Sequence, residues 1–390
     1  LIEFSIVPVI SSSYCSLISI KLQLFSSKSL NASSGDIVFT SFIASETRVC
    51  AVFIDIVNIY KFMQTNILKK IFVKLIKALG FEIIDQNQFK SPTLNKELNE
   101  QLSNINESII LPLGKVNLTR KITDLLIIFR TNSTIEIWDQ NKKRIFEKDK
   151  IEYVKRSLNS LIKSIKIAKE NYPLINFNLI ILDDRSNEQN LIKIKNILDK
   201  SNQKYEIINH KHSDHKNIIK EQKSVDTFAN LSSLLKCFEI GKNKGKDLIY
   251  FVEDDYLHFD YSLEEMIGTY ERVSSQLKNN LFVCPADYPF FYMNNEKTNL
   301  LIGNKRHWRT INKTLCTFMT SKEILDRYWE NFYKNCLDRH DPFEKYLNEI
   351  YENEICISPV KSLSIHMTNV NSSYGLSPFI DYKSLWEENE

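Results

Sequence analysis

Glycine is scarce in this chain, with 8 among 390 residues, where a soluble domain usually carries roughly 7%. Neither G-x-G-x-x-G nor G-x-x-x-x-G-K-[ST] occurs. Backbone cradles for phosphate are built on such glycines, so a nucleotide here would have to be gripped by side chains and a metal. An excess of one charge is also missing: 51 basic residues stand against 48 acidic ones, a formal net charge of +3. That balance is too even for a polyanion-binding surface, and nucleic acid is not expected as a partner. The 7 cysteines are scattered and odd in number, and no C-x-x-C occurs. A disulfide framework and a structural zinc site are therefore not expected, and reduced thiols in a cytoplasmic protein are. The apolar run at 50–60 is too short to span a bilayer and contains Asp55. No basic n-region marks a secretory signal. The chain starts at Leu1 and its first methionine is Met63. We expect residues 1–62 to lie upstream of the native start.

Ordinary apolar (43%) and charged (25%) shares imply a globular protein. Residues 63–118 read as a basic amphipathic helix followed by a polar linker. Asn66 can cap this helix. Ile67, Leu68, Ile71, Phe72, Leu75, Ile76 and Leu79 recur at helical spacing, Lys69, Lys70, Lys74 and Lys77 cover the rest, and Gly80 ends the pattern. Two placements fit residues 66–79: docked on the protein with lysines in water, or in peripheral contact with an anionic membrane surface at the inner face of the cytoplasmic membrane. Residues 85–115 are polar and read as a loose arm.

The main domain is expected over 119–385. Strands are expected at 125–129, 177–182, 205–208, 248–252 and 281–284, and helices at 151–169, 190–200, 226–240 (ended by Gly241) and 261–276. This alternation predicts an α/β domain with a mainly parallel central sheet flanked by helices. Ligands of such sheets bind beyond the carboxyl ends of the strands, and polar residues gather there in this sequence. Arg130, Thr131 and Asn132 follow the first strand, Asp183 and Asp184 the second, and Glu253, Asp254 and Asp255 another. Three adjacent carboxylates repel one another unless a cation neutralises them, and hard oxygen ligands suit Mg²⁺ or Mn²⁺, which also bind substrate phosphates. The alternative is a solvated turn in which Asp255 caps the next helix. Asp184 stands where it could accept from a nucleobase N–H, or serve as a helix N-cap.

The segment from Leu179 to Glu188, with Asp183, Asp184 and Ser186, resembles the DD-x-S strand and turn of family 2 GT-A glycosyltransferases. Tyr250 to Asp255 resembles their DXD-type element, and its Glu-Asp-Asp form is similar to that of inverting N-acetylglucosaminyltransferases. Leu126 to Asn132 is similar to the opening strand, and Phe228 to Leu231, with Asn230, to the segment where the preceding helix approaches the donor. The likeness spans roughly 122–370. It implies a GT-A-like domain that moves a hexosyl or N-acetylhexosaminyl group from a nucleoside-diphosphate sugar to a glycan or lipid-linked hydroxyl acceptor with inversion, using Mn²⁺ or Mg²⁺ in cell-envelope synthesis. By that resemblance Asp184 contacts the nucleobase, Asp255 binds the metal, and Glu253 and Asp254 orient the sugar or metal-bound water. Arg130, Thr131, Asn132 and Asn230 border the nucleotide sugar, and His366 completes the metal site as C-terminal histidines do in many of these enzymes. Otherwise His366 is a structural residue.

An inverting transferase needs a base to deprotonate its acceptor. Asp341, ahead of Pro342 at an expected helix start, is the first candidate, with Asp338 and Glu344 behind it; each also reads as an ordinary loop or N-cap carboxylate. Lys305, Arg306, His307 and Arg309 could engage a diphosphate or an anionic acceptor, with Trp308 stacked on a sugar, or form an exposed loop around a core tryptophan. The aromatic segment 285–292 could line an acceptor groove or belong to the core. The tail 371–378 could fold over the donor. Two other functions remain open: a nucleotidyltransferase, for which a Gly-rich triphosphate loop is missing, and a non-catalytic nucleotide-sugar or glycan-binding module.

Overall fold

The computed structural model describes residues 7–8, 66–83, 107–110, 114–134, 144–220, 224–293, 297–367 and 372–390. The chain divides into two units, Leu1–Lys90 and Ser91–Glu390. In the first, strand β1 (Val7–Pro8) pairs antiparallel with β2 (Phe81–Glu82), which follows helix α1 (Asn66–Ala78). Gly80 ends α1 as expected, with φ 83°, a left-handed conformation that costs glycine least. Apart from Val7–Pro8, the expectation for 1–62 falls outside the described residues. The polar arm holds more order than expected. Its end forms a hairpin of β3 (Glu107–Ile110) and β4 (Gly114–Asn117), where Ile109, Ile110 and Val116 supply β-branched residues.

The second unit continues with β5 (Asp124–Thr131), α2 (Lys150–Asn171), β6 (Asn176–Asp183), α3 (Glu188–Lys200), β7 (Tyr205–Asn209), α4 (Val225–Lys244) and β8 (Leu248–Glu253). All of these match expected elements. After them come β9 (Tyr256–His258), α5 (Ser262–Leu277), β10 (Phe282–Val283), β11 (Leu300–Ile302), β12 (His307–Ile311) and β13 (Phe318–Ser321). The chain ends with α6 (Lys322–Arg327), α7 (Trp329–Asn335), α8 (Lys345–Ile350), β14 (Cys356–Pro359), β15 (Ser364–His366) and α9 (Tyr382–Glu387). Nine strands form one sheet in the order β11-β12-β14-β10-β13-β8-β5-β6-β7. β7, β6, β5 and β8 are mutually parallel, β14 is parallel to β10, and β13 runs antiparallel between β8 and β10. The expected α/β architecture is present, and its parallel half is the half legible from alternation with helices.

Side-chain alternation along the strands divides the core. Leu125, Ile127 and Phe129 of β5, with Tyr250 and Val252 of β8, pack towards α2 and α5. Leu126 and Ile128, with Ile249 and Phe251, pack towards α4, α6 and α7. Each fully buried side chain of this size contributes roughly 1.5–3 kcal/mol, and the two faces together fix the register. Helix α4 passes through Gly241, where it was expected to stop, and ends at Gly245. The reason is packing: a Cβ on Gly241 would lie 2.8 Å from the Phe251 ring, so this glycine lets helix and sheet approach.

Candidate active site

The same alternation decides the fate of the three consecutive carboxylates. Glu253 leaves β8 on the α4 side of the sheet and Asp254 leaves it on the α2 side. Glu253 meets Arg130, the next-to-last residue of β5, at 2.6 Å. The Arg130 guanidinium also donates to Asn230 Oδ1 (2.6 Å) and Ser233 Oγ (3.1 Å) on α4. Burial acts to weaken its charge, yet Glu253 holds its pKa above the ordinary value. Asp254 pairs with Lys150 at the start of α2. It also accepts from Thr131 Oγ1 and from the Asn132 backbone N–H, both at 2.9 Å. Burial lowers the Lys150 pKa, but Asp254 and Asp255 raise it further. Two of the three carboxylates are thus neutralised by cations of the chain itself. An unpaired buried charge would cost several kcal/mol.

Asp255 has a different partner. His366 Nε2 lies 3.4 Å from Asp255 Oδ2. The other ring nitrogen, Nδ1, donates to the carbonyl of Tyr374 at 2.7 Å, and the ring stacks on Tyr256 at 4.7 Å. Burial acts to lower the His366 pKa, but Asp255 and Glu253 hold it above the ordinary value, which favours the charged ring and its pairing through Nε2 with Asp255. Although burial pushes the Asp255 carboxyl up, His366 and Lys150 hold it below the usual carboxylate range. Among the described residues, no set of three or more His, Cys, Asp and Glu side chains is arranged to hold a metal.

At the ends of β6 and β7, Asp184 is 2% exposed. It accepts from Asn132 Nδ2 and Arg185 Nε, each at 3.3 Å, and pairs with His212 Nε2. The N-cap of α3 is Asn187, whose side chain accepts from the Asn190 N–H, so the capping alternative for Asp184 does not hold. Asp255 does not cap α5 either, since Tyr261 occupies that position. Nearby, Asp183 Oδ1 and His210 Nδ1 are buried without a hydrogen-bond partner. Arg130, Thr131, Asn132, Asp184, Asn230, Glu253, Asp254, Asp255 and His366 therefore belong to one linked network around the carboxyl ends of the parallel strands.

Other candidates lie apart from it. Arg309 on β12 is committed to Asp287, itself 1% exposed, and lies over the Phe291 and Tyr292 rings. Trp308 is fully buried and donates to Glu265 at 3.1 Å, which removes it as a sugar platform. Lys305 pairs with Glu264. Phe290 and Phe291 join Tyr256, Tyr288 and Tyr374 in a small aromatic core. The tail reaches the site through the Tyr374 carbonyl.

The base candidates separate as well. Asp341 is exposed, and Asp338 accepts from its neighbour's Arg339 N–H at 2.8 Å. The helix expected to open at Pro342 begins at Lys345 with Glu344 as its N-cap residue, and no side chain caps it. Glu344 is half-buried where Asp341 is exposed. Burial and the negative charge of Glu253 push the Glu344 carboxyl up to about 8, while His366 opposes the shift. Lys150 was not singled out in the sequence. Nothing in its local pattern separates a helix-opening lysine in solvent from one turned onto Asp254.

No protein-family model matches the chain, and no curated protein does. Several solved structures are similar to part of the chain. Staphylococcus aureus TarS (residues 1–349) is 14% identical over 62% of this chain and 59% of that one, with a TM-score of 0.36. The galactosyltransferase LgtC, solved with donor and acceptor sugar analogues, is 12% identical over 58% of this chain and 70% of that one, at 0.31. UDP-glucose pyrophosphorylase without ligand is 11% identical over 63% of this chain and 93% of that one, at 0.34. The chain spans about three-fifths of the TarS structure it matches (59%).

Proposed function

We propose that the chain is a metal-dependent, inverting glycosyltransferase that moves a sugar from a nucleoside-diphosphate donor to a hydroxyl acceptor. The observation that carries this reading is the division of labour at the end of β8. Arg130 and Lys150 neutralise Glu253 and Asp254, while Asp255 faces the Nε2 of a histidine anchored through its other ring nitrogen. One carboxylate oxygen and one imidazole nitrogen fit Mn²⁺ or Mg²⁺, which complete their shells with substrate phosphates and water. Asp255 and His366 would hold the ion. When bound it supplies Lewis-acid neutralisation of the leaving diphosphate.

The remaining steps belong to the chain's own groups. Asp184 and Asn132 present hydrogen-bonding atoms to the nucleobase side. Glu253 and Asp254, held by ion pairs on opposite faces of the sheet, orient the sugar and the water around the metal. Glu344, rather than Asp341 or Asp338, is the base. A carboxyl poised near neutral pH accepts a proton from an acceptor hydroxyl more readily than one in the ordinary range. A nucleotidyltransferase would need a triphosphate-gripping loop after β5, and the sequence has no glycine between Gly114 and Gly241.

The test is thermal shift with UDP, GDP and their sugars, with and without Mn²⁺. Stabilisation by one diphosphate only when metal is present supports this reading. Stabilisation by nucleoside triphosphate with pyrophosphate release supports a nucleotidyltransferase, and binding of a sugar nucleotide without turnover supports a binding module.

A further inference from the structure

Helix α1 carries a surface that the proposed chemistry does not use. At 100° per residue, Ile67, Leu68, Ile71, Phe72, Leu75, Ile76, Ala78 and Leu79 fall on one broad arc of the sequence wheel. Lys69 and Lys74 border that arc on its two sides, and Lys70 and Lys77 lie opposite. No acidic residue occurs between Asn66 and Phe81. In the structure the centre of the apolar arc is open to water: Ile71 is 56% exposed, Leu75 58% and Leu79 63%, and Phe81 just beyond the helix is 37% exposed. Exposed large aliphatic side chains repeated at helical spacing mark a surface that something covers.

We propose that α1 is an interfacial helix that lays this face into an anionic lipid surface. Charge decides the occupant. Lysines on both borders of the arc reach out to anionic headgroups while the apolar centre enters the acyl boundary, and their stems can snorkel. A symmetric contact with a second copy through the same face would set lysines against lysines with no carboxylate on either helix to pair them. Length decides the orientation. Thirteen residues rise about 20 Å, short of the roughly 30 Å hydrocarbon core, and no described helix is long and apolar enough to cross a membrane. The helix therefore lies in the plane of the surface.

The test is sedimentation of the full chain with vesicles of phosphatidylcholine alone and of phosphatidylcholine mixed with phosphatidylglycerol. The chain is expected to pellet with the mixed vesicles at low salt and to be released by high salt. Leu75→Glu should weaken binding by about tenfold or more through the apolar face, and Lys70→Ala with Lys74→Ala by a similar factor through charge. These positions are exposed, so the fold is retained. Thermal-shift responses to nucleotide should be unchanged, which separates this proposal from the one above. Failure of the unaltered chain to bind mixed vesicles overturns it, as does binding that neither variant changes. A dimer in solution that Leu75→Glu converts to monomer would overturn it in favour of a second copy.

Discussion

The two halves of the central sheet treat buried charge in different ways. In the parallel half, Arg130, Glu253 and Asp254 lie at the carboxyl ends of β5 and β8, and each charge is paired across elements. In the antiparallel half, Arg309 and Asp287 pair just as closely. They sit beneath aromatic rings, and Asp287 also accepts from the Tyr292 hydroxyl at 2.6 Å. Both are buried ion pairs, but only the first opens onto Asp255 and His366. A buried pair is by itself a structural device. The parallel-half pairs differ in having a third carboxylate, Asp255, beside them with a histidine as its partner.

The sharpest way to break this comparison is to remove the arginines. Arg130→Met and Arg309→Met should each destabilise by about 3–5 kcal/mol, because each leaves a buried carboxylate without its cation, as chemical denaturation would show. Only Arg130→Met should weaken donor binding; equal loss of binding in both variants would erase the distinction. Asp255→Asn should lower metal-dependent turnover by about a thousandfold, the worth of several kcal/mol of Lewis-acid stabilisation, with a modest fall in Tm from loss of the His366 ion pair. Metal binding followed by calorimetry should disappear with it. Glu344→Gln should reduce kcat by about a hundredfold with an unchanged donor Kd. If Asp341→Asn instead produced that pattern, the base would be reassigned.

The smallest effect concerns pH and stability. Burial lowers the pKa of His210 to about 4 and of His258, which accepts or donates with the Tyr250 hydroxyl at 2.6 Å, to about 3. Both stay neutral in the folded chain while the unfolded chain takes up protons below the ordinary value of 6.5. Their contribution is therefore present above that value and lost as pH falls through the interval towards the folded pKa. Each should remove about 1–2 kcal/mol between pH 6.5 and about pH 5. His258→Gln should flatten the fall of Tm with acid, and an unchanged slope would assign it to other groups.

Reading the sequence located the elements that alternate, because a buried parallel strand followed by an amphipathic helix leaves a pattern within a few residues. The strand expected at 281–284 contains β10, but the short strands β11 to β14 left no such pattern. β12 and β13 pair with β14 and β8, some tens of residues away, and β11 is only three residues long. The same contrast holds at the site. Polar residues at strand ends pointed to Arg130, Asp184, Glu253, Asp254 and Asp255, and the C-terminal His366 lies beside Asp255 at 3.4 Å. Arg309 and Trp308 share that polar, aromatic look but are held in ion pairing and core.

What the sequence determined alone is therefore local: the order of the alternating strands and helices as far as β10, and the polar carboxyl ends of the parallel strands. What only the tertiary structure decided is which charge meets which. Lys150 turns onto Asp254, Glu344 is half-buried while Asp341 is exposed, and the Tyr374 carbonyl anchors the His366 ring beside Asp255. Those choices depend on groups far apart along the chain that come within a few ångströms only when the core closes. A charge acquires its pKa and its role from that neighbourhood, which no stretch of sequence contains.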